Sequence, residues 1–534
     1  MFSNWVVRFK QSDPWFVEGF STFYGVYLFD QIYNETLLMS IVVQARRVDF
    51  EYTQAFSEYD FPMQKHTFLQ NVTFNKMWKE KAFTIFYMMN NLFRKQDVFY
   101  NFIFEKAVHT YNTSTSSETY NDQSVFKNIW DYLTFVPTIN DDIYVKNINI
   151  KNVITSWITH DGYPVVQVQR VQLDTQFLEI KVQDCVAVKQ KNLCAYKWWI
   201  PVIYFKISRK KYSTNYVYLK PNGKSFFIAN IEDDFIIITA HNGYRVNYDH
   251  KTLENIALFL KSEKPEIWNV NELSDVTLAH ILDDAFYFLI QNTKYNVHPA
   301  AKNNNIEIFF NLASNIIVYM KNSYITWYPV LTALQYISKI FPYPETAFMK
   351  TKILKLLNIF LEDTSHKNFS ENSMSNQVYH ELVKWTCILD GVKCEEHVNA
   401  ILMWHLENPV KNKLLPSWQK WIYCQSLILV NATSDLWQNI EKIYSTDNKK
   451  EQLFELLSCN RHNILQVFRE IEANLLTKRK SVYVLFDSVA KYSKDVTLLN
   501  SIRSRILTFA GDNFFAVIIF IINNTYSEEN LVKV

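Results

Sequence analysis

The apolar residues of this chain change their spacing twice, and that switch limits what the chain can fold into. Before residue 160 they recur at helical intervals. Phe16, Phe20, Phe23, Tyr24 and Tyr27 fall on one stripe, and Ala82, Ile85, Met88, Met89, Leu92 and Phe93 on another. A Ser-, Thr- and Asn-rich stretch from Asn112 to Ser124 reads as an exposed loop, and a helix is predicted from about Lys146 to His160. Asp161-Gly162-Tyr163-Pro164 then marks a turn. Beyond it the spacing drops to two: Val166 and Val168 alternate with Gln167 and Gln169, and Leu178, Ile180 and Val182 with Glu179, Lys181 and Gln183. Trp199 to Ile207, Asn215 to Leu219 and Phe235 to Ala240 read the same way, with Pro221-Asn222-Gly223 as a turn. Several short half-buried strands in succession predict a small β-sandwich. From about Lys251 the helical interval returns, in Leu253, Ile256, Ala257 and Leu260, in Leu278, Leu282, Ala285, Phe286 and Leu289, and in Val330, Leu334, Ile337 and Phe341. Many amphipathic helices with short breaks predict stacked helix pairs, a HEAT- or armadillo-like solenoid.

Composition removes several function classes. The chain has 55 basic and 53 acidic side chains, so it offers no electrostatic footprint for nucleic acid. The run Lys478-Arg479-Lys480 reads as a solvated helix end. Seven glycines occur in 534 residues, and none stands in the spacing of a dinucleotide fingerprint, a phosphate loop or a nucleophile elbow. No apolar stretch is long enough to span a bilayer. The nearest, Phe514 to Ile522, reads as a buried helix, and Met1 to Arg8 does not read as a secretory leader. Six cysteines permit three disulfides. Asn-x-Ser/Thr sequons at Asn34, Asn71, Asn112, Asn368, Asn431 and Asn523 are glycosylation candidates. Together the cysteines and sequons lean toward a secretory compartment.

Six short segments resemble, in order, those of the gluzincin zinc aminopeptidases, the aminopeptidase N-like family. Trp15-Phe16-Val17-Glu18-Gly19-Phe20 is similar to its W-L-x-E-G-F, and Trp157-Ile158-Thr159-His160-Asp161-Gly162-Tyr163-Pro164-Val165-Val166 to its W-T-x-Q-x-G-Y-P-V-V. Trp199-Ile200-Pro201-Val202 resembles W-I-P-V, and Asn242-Gly243-Tyr244-Arg245-Val246-Asn247-Tyr248-Asp249 resembles G-Y-Y-R-V-N-Y-D. Leu282-Asp283-Asp284-Ala285-Phe286 is similar to L-L-D-D-A-F, and Tyr324-Ile325-Thr326-Trp327 resembles Y-x-P-W.

The resemblance implies a mainly α chain with a small β-sandwich. The rear of a thermolysin-like catalytic domain would occupy 1–160, the sandwich 161–249 and the helical solenoid 250–534. It implies zinc as cofactor, peptides as partners and an extracellular or cell-surface location, and it leaves a homodimer open. It pairs Cys387 with Cys394 and Cys424 with Cys459. Cys185 and Cys194 have no counterpart and could pair across a hairpin or stay reduced.

Glu18 stands where the family has its third zinc ligand, although a carboxylate kept near a helix start is the plainer reading. The family's H-E-x-x-H pair is missing from the sequence, as is its G-x-M-E-N segment. None of the twelve histidines replaces the pair: His380-Glu381-Leu382-Val383-Lys384 begins like the motif and ends in lysine, and His397 and His405 read as packing or surface residues. The family's oxyanion-stabilising tyrosine falls on Lys79 in one register and on Phe74 in another, and neither is a phenol. Tyr87 lies deeper in that helix and reads as packing. The expectation is a chain that as it stands binds no zinc and is inactive, a fragment or a pseudoenzyme, with a peptide- or protein-binding scaffold as the alternative.

Overall fold

The computed structural model describes residues 14–33, 41–44, 72–92, 150–159, 163–172, 176–182, 198–208, 211–221, 223, 225–229, 234–239, 243–262, 273–294, 299–320, 323–338, 346–361, 374–389 and 393–429, with isolated positions between 438 and 460. The contacts cluster into two units, Met1–Ala333 and Leu334–Val534. Among the described residues the fold is mostly helical with two small sheets.

The helices described early in the first unit include α1 (Pro14–Tyr33), α2 (Val72–Leu92) and α3 (Ile150–Thr159). On α1, Phe20, Phe23, Tyr24 and Tyr27 are buried, as their helical spacing predicts. They meet α2, where Phe20 packs edge-on against Phe86 and Phe23 lies 5.7 Å from Phe83. On α2 every residue from Lys81 to Asn90 is buried, which is more than one apolar stripe would give. The sandwiched environment, and not amphipathicity, holds this helix.

Seven strands follow: β1 (Val165–Gln172), β2 (Gln176–Val182), β3 (Ile200–Ser208), β4 (Lys211–Leu219), β5 (Phe226–Ala229), β6 (Phe235–Ile238) and β7 (Arg245–Tyr248). One sheet has the order β5-β2-β1-β7 and the other β4-β3-β6. All pairs are antiparallel except β1 with β7, which run parallel, with Val166 opposite Val246. Alternation is clean in β1, where Val166 and Val168 are fully buried. In β3 and β6 burial is continuous, so these strands are covered on both faces. The turn at Lys220–Gly223 closes with the Gly223 amide donating to the Lys220 carbonyl at 2.9 Å. Two hydrogen bonds cross between the sheets: the Ile238 amide donates to Tyr248 Oη at 2.7 Å, and Arg170 Nη2 to the Asp234 carbonyl at 3.2 Å.

The strands hand over to α4 (His250–Ser262), α5 (Asp275–Lys294), α6 (Pro299–Tyr319) and α7 (Tyr324–Ile337). Two of these helices start at a side-chain cap. The Asp249 carboxylate caps α4 by accepting from the Thr252 amide at 2.7 Å, while its other oxygen accepts from the Arg170 amide on β1. Ser274 caps α5 through the Thr277 amide. Ser323 precedes α7 and donates to Asp275. α6 packs on both α4 and α5, and α5 packs on β7.

The division between the units falls within α7. The second unit contains α8 (Ala347–Leu361), α9 (Met374–Ile388), α10 (Lys393–Glu407) and α11 (Pro416–Leu429), and each packs on the next. Ile353, Leu356, Leu357 and Phe360 of α8 are buried, as are Val378, Leu382 and Val383 of α9 and Val398, Ile401 and Leu402 of α10. Disulfides join Cys387 to Cys394 and Cys424 to Cys459.

Candidate functional site

The two helices expected to carry zinc chemistry, α1 and α2, do pack together. Gly19 makes this approach possible, because a Cβ there would sit 2.9 Å from Ala82 backbone and side-chain atoms. Glu18, one residue earlier, is half-buried. Lys79 and Phe74 both lie on α2, before the buried stretch that begins at Lys81; their side chains fall outside the described set. Lys81, two residues after Lys79, is buried, and its Nζ sits 5.5 Å from the centre of the Trp198 ring. Tyr87 is buried against Phe23 and serves packing.

A hydrolytic zinc ion needs three protein ligands gathered within bonding distance. Among the described residues no group of three or more His, Cys, Asp or Glu side chains is placed to hold a metal ion. Glu18 with its described neighbours therefore does not fit zinc, and no chemical step is derived through one.

The segments at Trp157, Trp199, Gly243–Asp249 and Asp283–Asp284 come together at the junction of sheet and helices. Trp157, fully buried on α3, donates from Nε1 to the Trp199 carbonyl at 3.0 Å, and the Trp199 amide returns a bond to Ser156 Oγ at 3.2 Å. Gly243 has φ +74°, and a Cβ there would fall on the Thr84 methyl, with Trp157 next nearest. Only glycine satisfies both the left-handed backbone and the close approach. Tyr163 lines the same small cavity with Phe83, Thr84 and Tyr87.

Two residues on, Arg245 is buried. Its Nη1 donates to Asp283 Oδ2 at 2.8 Å and to Asp284 Oδ1 at 3.0 Å. Asp284 Oδ2 accepts the Val246 amide at 2.9 Å, and the guanidinium stacks 4.0 Å above the Tyr287 ring. Arg245 on β7 is thus locked to α5 by charge, hydrogen bonds and stacking at once. The Tyr244-to-Asp249 and Asp283-Asp284 segments are two halves of one joint. Burial pushes the Tyr248 hydroxyl far above its ordinary pKa, so it stays a neutral acceptor for the Ile238 amide.

The histidines of the second unit are held by neighbours. His380 stacks on Trp418 at 4.2 Å, and Trp418 stacks on Trp421. Glu381 and Lys384, which complete the motif-like segment, face each other at 3.8 Å on the surface. His405 is buried with both ring nitrogens bonded, Nδ1 to the Asn412 carbonyl and Nε2 to Tyr423 Oη, each at 2.6 Å. Asn412 Nδ2 donates to the Trp404 carbonyl, so this network fastens the turn between α10 and α11. No sequence period marks it, since its members lie in two helices and a loop.

Several expected sites fall outside the described residues: Cys185, Cys194, Asn34, Asn71, Asn112, Asn368, Asn431 and Asn523, together with Lys478 to Lys480 and Phe514 to Ile522. Among the described residues no helix is long and apolar enough to cross a membrane. A groove of about 590 Å³ between α4 and α6, walled by His250, Glu254, Lys261 and Glu307, is a surface feature whose Glu254 already faces His250 and Lys251.

Residues 240–503 match the ERAP1-like C-terminal domain. Human aminopeptidase N is 20% identical over 447 residues, covering 80% of this chain and 42% of that protein. Rabbit (Oryctolagus cuniculus) aminopeptidase N is 18% identical over 487 residues, 86% of this chain and 46% of the relative. Pig (Sus scrofa) glutamyl aminopeptidase is 26% identical over 209 residues, 37% of this chain and 19% of the relative. The chain spans less than half the length of the curated relatives it matches. The joint between Tyr244–Asp249 and Asp283–Asp284 lies inside the matched residues, and the chain is similar to the C-terminal region of the aminopeptidase N-like gluzincins.

Proposed function

We propose that this chain derives from zinc metalloaminopeptidases that release N-terminal residues from peptides, with Glu18 at the third zinc-ligand position. In this reading residues 1–160 are the rear of a thermolysin-like domain, 161–249 a β-sandwich and 250–534 a HEAT- or armadillo-like solenoid. The observation that carries it is the pairing of α1 and α2 through Gly19 on Ala82, which sets Glu18 beside the helix where the family keeps its phenol. The 534 residues by themselves hold no zinc and cleave nothing in this reading. One carboxylate does not hold a hydrolytic ion, and neither Lys79 nor Phe74 can donate a phenolic hydroxyl to an oxyanion. The two disulfides favour an oxidising compartment, the extracellular space or the cell surface.

The test is zinc content after equilibration with the metal, together with turnover on a panel of aminoacyl-arylamides. Stoichiometric zinc that disappears in Glu18→Ala, or turnover by the wild-type polypeptide, would sink the inactive reading. A second reading, a peptide- or protein-binding scaffold, is favoured by Lys79 or Phe74 at the tyrosine position. Measurable peptide affinity without turnover supports it.

A further inference from the structure

We propose that the Tyr379–His397 contact makes the α9–α10 hairpin a pH-responsive latch, held by neutral His397 and loosened when that ring is protonated. The contact spans the two helices: Tyr379 Oη lies 3.1 Å from His397 Nδ1, with the rings near perpendicular. The other ring nitrogen, Nε2, is out of reach of solvent and meets no hydrogen-bond partner among the described residues. A neutral ring tolerates this, because one nitrogen can stay undemanding. An imidazolium carries two N–H donors and a charge. Its Nδ1–H can point at Tyr379 Oη, but its Nε2–H meets neither solvent nor an acceptor among the described residues, and an unmet charged donor is costly.

The surroundings agree with this direction. Burial holds the His397 pKa below its ordinary 6.5; on the same helix Glu396 pulls it back up and Lys393 pushes it further down. Facing it from α9 is Tyr379, with His380 beside that ring. From α11, the Tyr423 hydroxyl meets His405, two turns beyond His397. The Tyr379 hydroxyl, pushed up to about 12 by burial and by Glu396, stays protonated across the range in which histidine titrates. His397 is therefore the member of the pair that switches.

The folded state binds fewer protons than the unfolded state between the lowered folded pKa and the unfolded value. Stability of the hairpin is present above about pH 6.5 and falls as pH drops below it, levelling off below the folded pKa. The Cys387–Cys394 bridge ties the turn three residues before His397, so acid loosens the packed faces without separating the helices.

Hydrogen exchange on the full chain at about pH 7.5 and pH 5.5, corrected for intrinsic rates, tests this. Residues 374–407 are expected to lose protection at the lower pH, by roughly tenfold for each unit of pKa lowering, while α4 and α5 do not. His397→Gln keeps an acceptor for Tyr379 but cannot titrate, and should abolish the pH-dependent loss. An equal loss in His397→Gln, or no loss in the wild type, overturns the proposal. If that variant does not fold, Tyr379→Phe serves instead. It should lower protection already at neutral pH while the loss at acid pH, set by the unmet Nε2–H, persists; unchanged protection at neutral pH, or no acid loss, overturns the proposal equally.

Discussion

The segment around Glu18 and the segments around Arg245 resemble motifs of the same family, yet the fold uses them differently. Arg245 finds its partners within the chain: two carboxylates on α5, an aromatic face, and a sister hydrogen bond from Val246. Glu18 is half-buried on a helix that Gly19 presses against Ala82, and no metal-holding group gathers among the described residues. A matched motif can therefore record a joint or a reaction, and only the surrounding geometry separates the two. The joint is complete among the described residues, whereas a zinc-ligand role for Glu18 belongs to the proposed function alone.

Substitutions can break this contrast. Arg245→Leu leaves Asp284 buried without its cation, and should lower unfolding free energy by about 3–5 kcal/mol, measured by urea denaturation. A loss under about 1 kcal/mol would mean that the joint does not hold sheet to helix. Gly243→Ala imposes a side chain on a left-handed backbone and on the Thr84 methyl, for a loss of about 2–3 kcal/mol. Adding Thr84→Ser removes that methyl while keeping the hydroxyl, and should restore the steric part only. Tyr423→Phe strips His405 Nε2 and Gln419 of a shared partner and should cost about 1–2 kcal/mol, read as a thermal shift. At the other end, Glu18→Gln keeps the shape of a half-buried side chain and should change stability by less than about 0.5 kcal/mol. A Glu18 effect as large as that of Arg245 would erase the distinction between the two segments.

Much of the fold was legible because period reports burial. The two-residue alternation at Val166–Val168 and Leu178–Ile180 marked β1 and β2, and the helical stripes marked α1, α4 and α5. β5 and β7 escaped. Four residues are too few to show a period, and Arg245 breaks the apolar pattern of β7 because its charge is neutralised from another element. β4 reaches back to Lys211, four residues before the start its sequence suggested, because the register with β3 continues through polar Ser213 and Thr214. At the site, the sequence marked Glu18, Gly19 and the Asp283-Asp284 pair but gave no sign that the pair serves Arg245. The His405–Tyr423–Asn412 network was invisible for the same reason.

The sequence alone determined where helices give way to strands and back, and which family's segments appear, because each is a property of neighbouring residues. Tertiary structure decided which charged groups meet. Arg245 and Asp284 are far apart along the chain, and their attraction becomes strong only after folding removes them from water together.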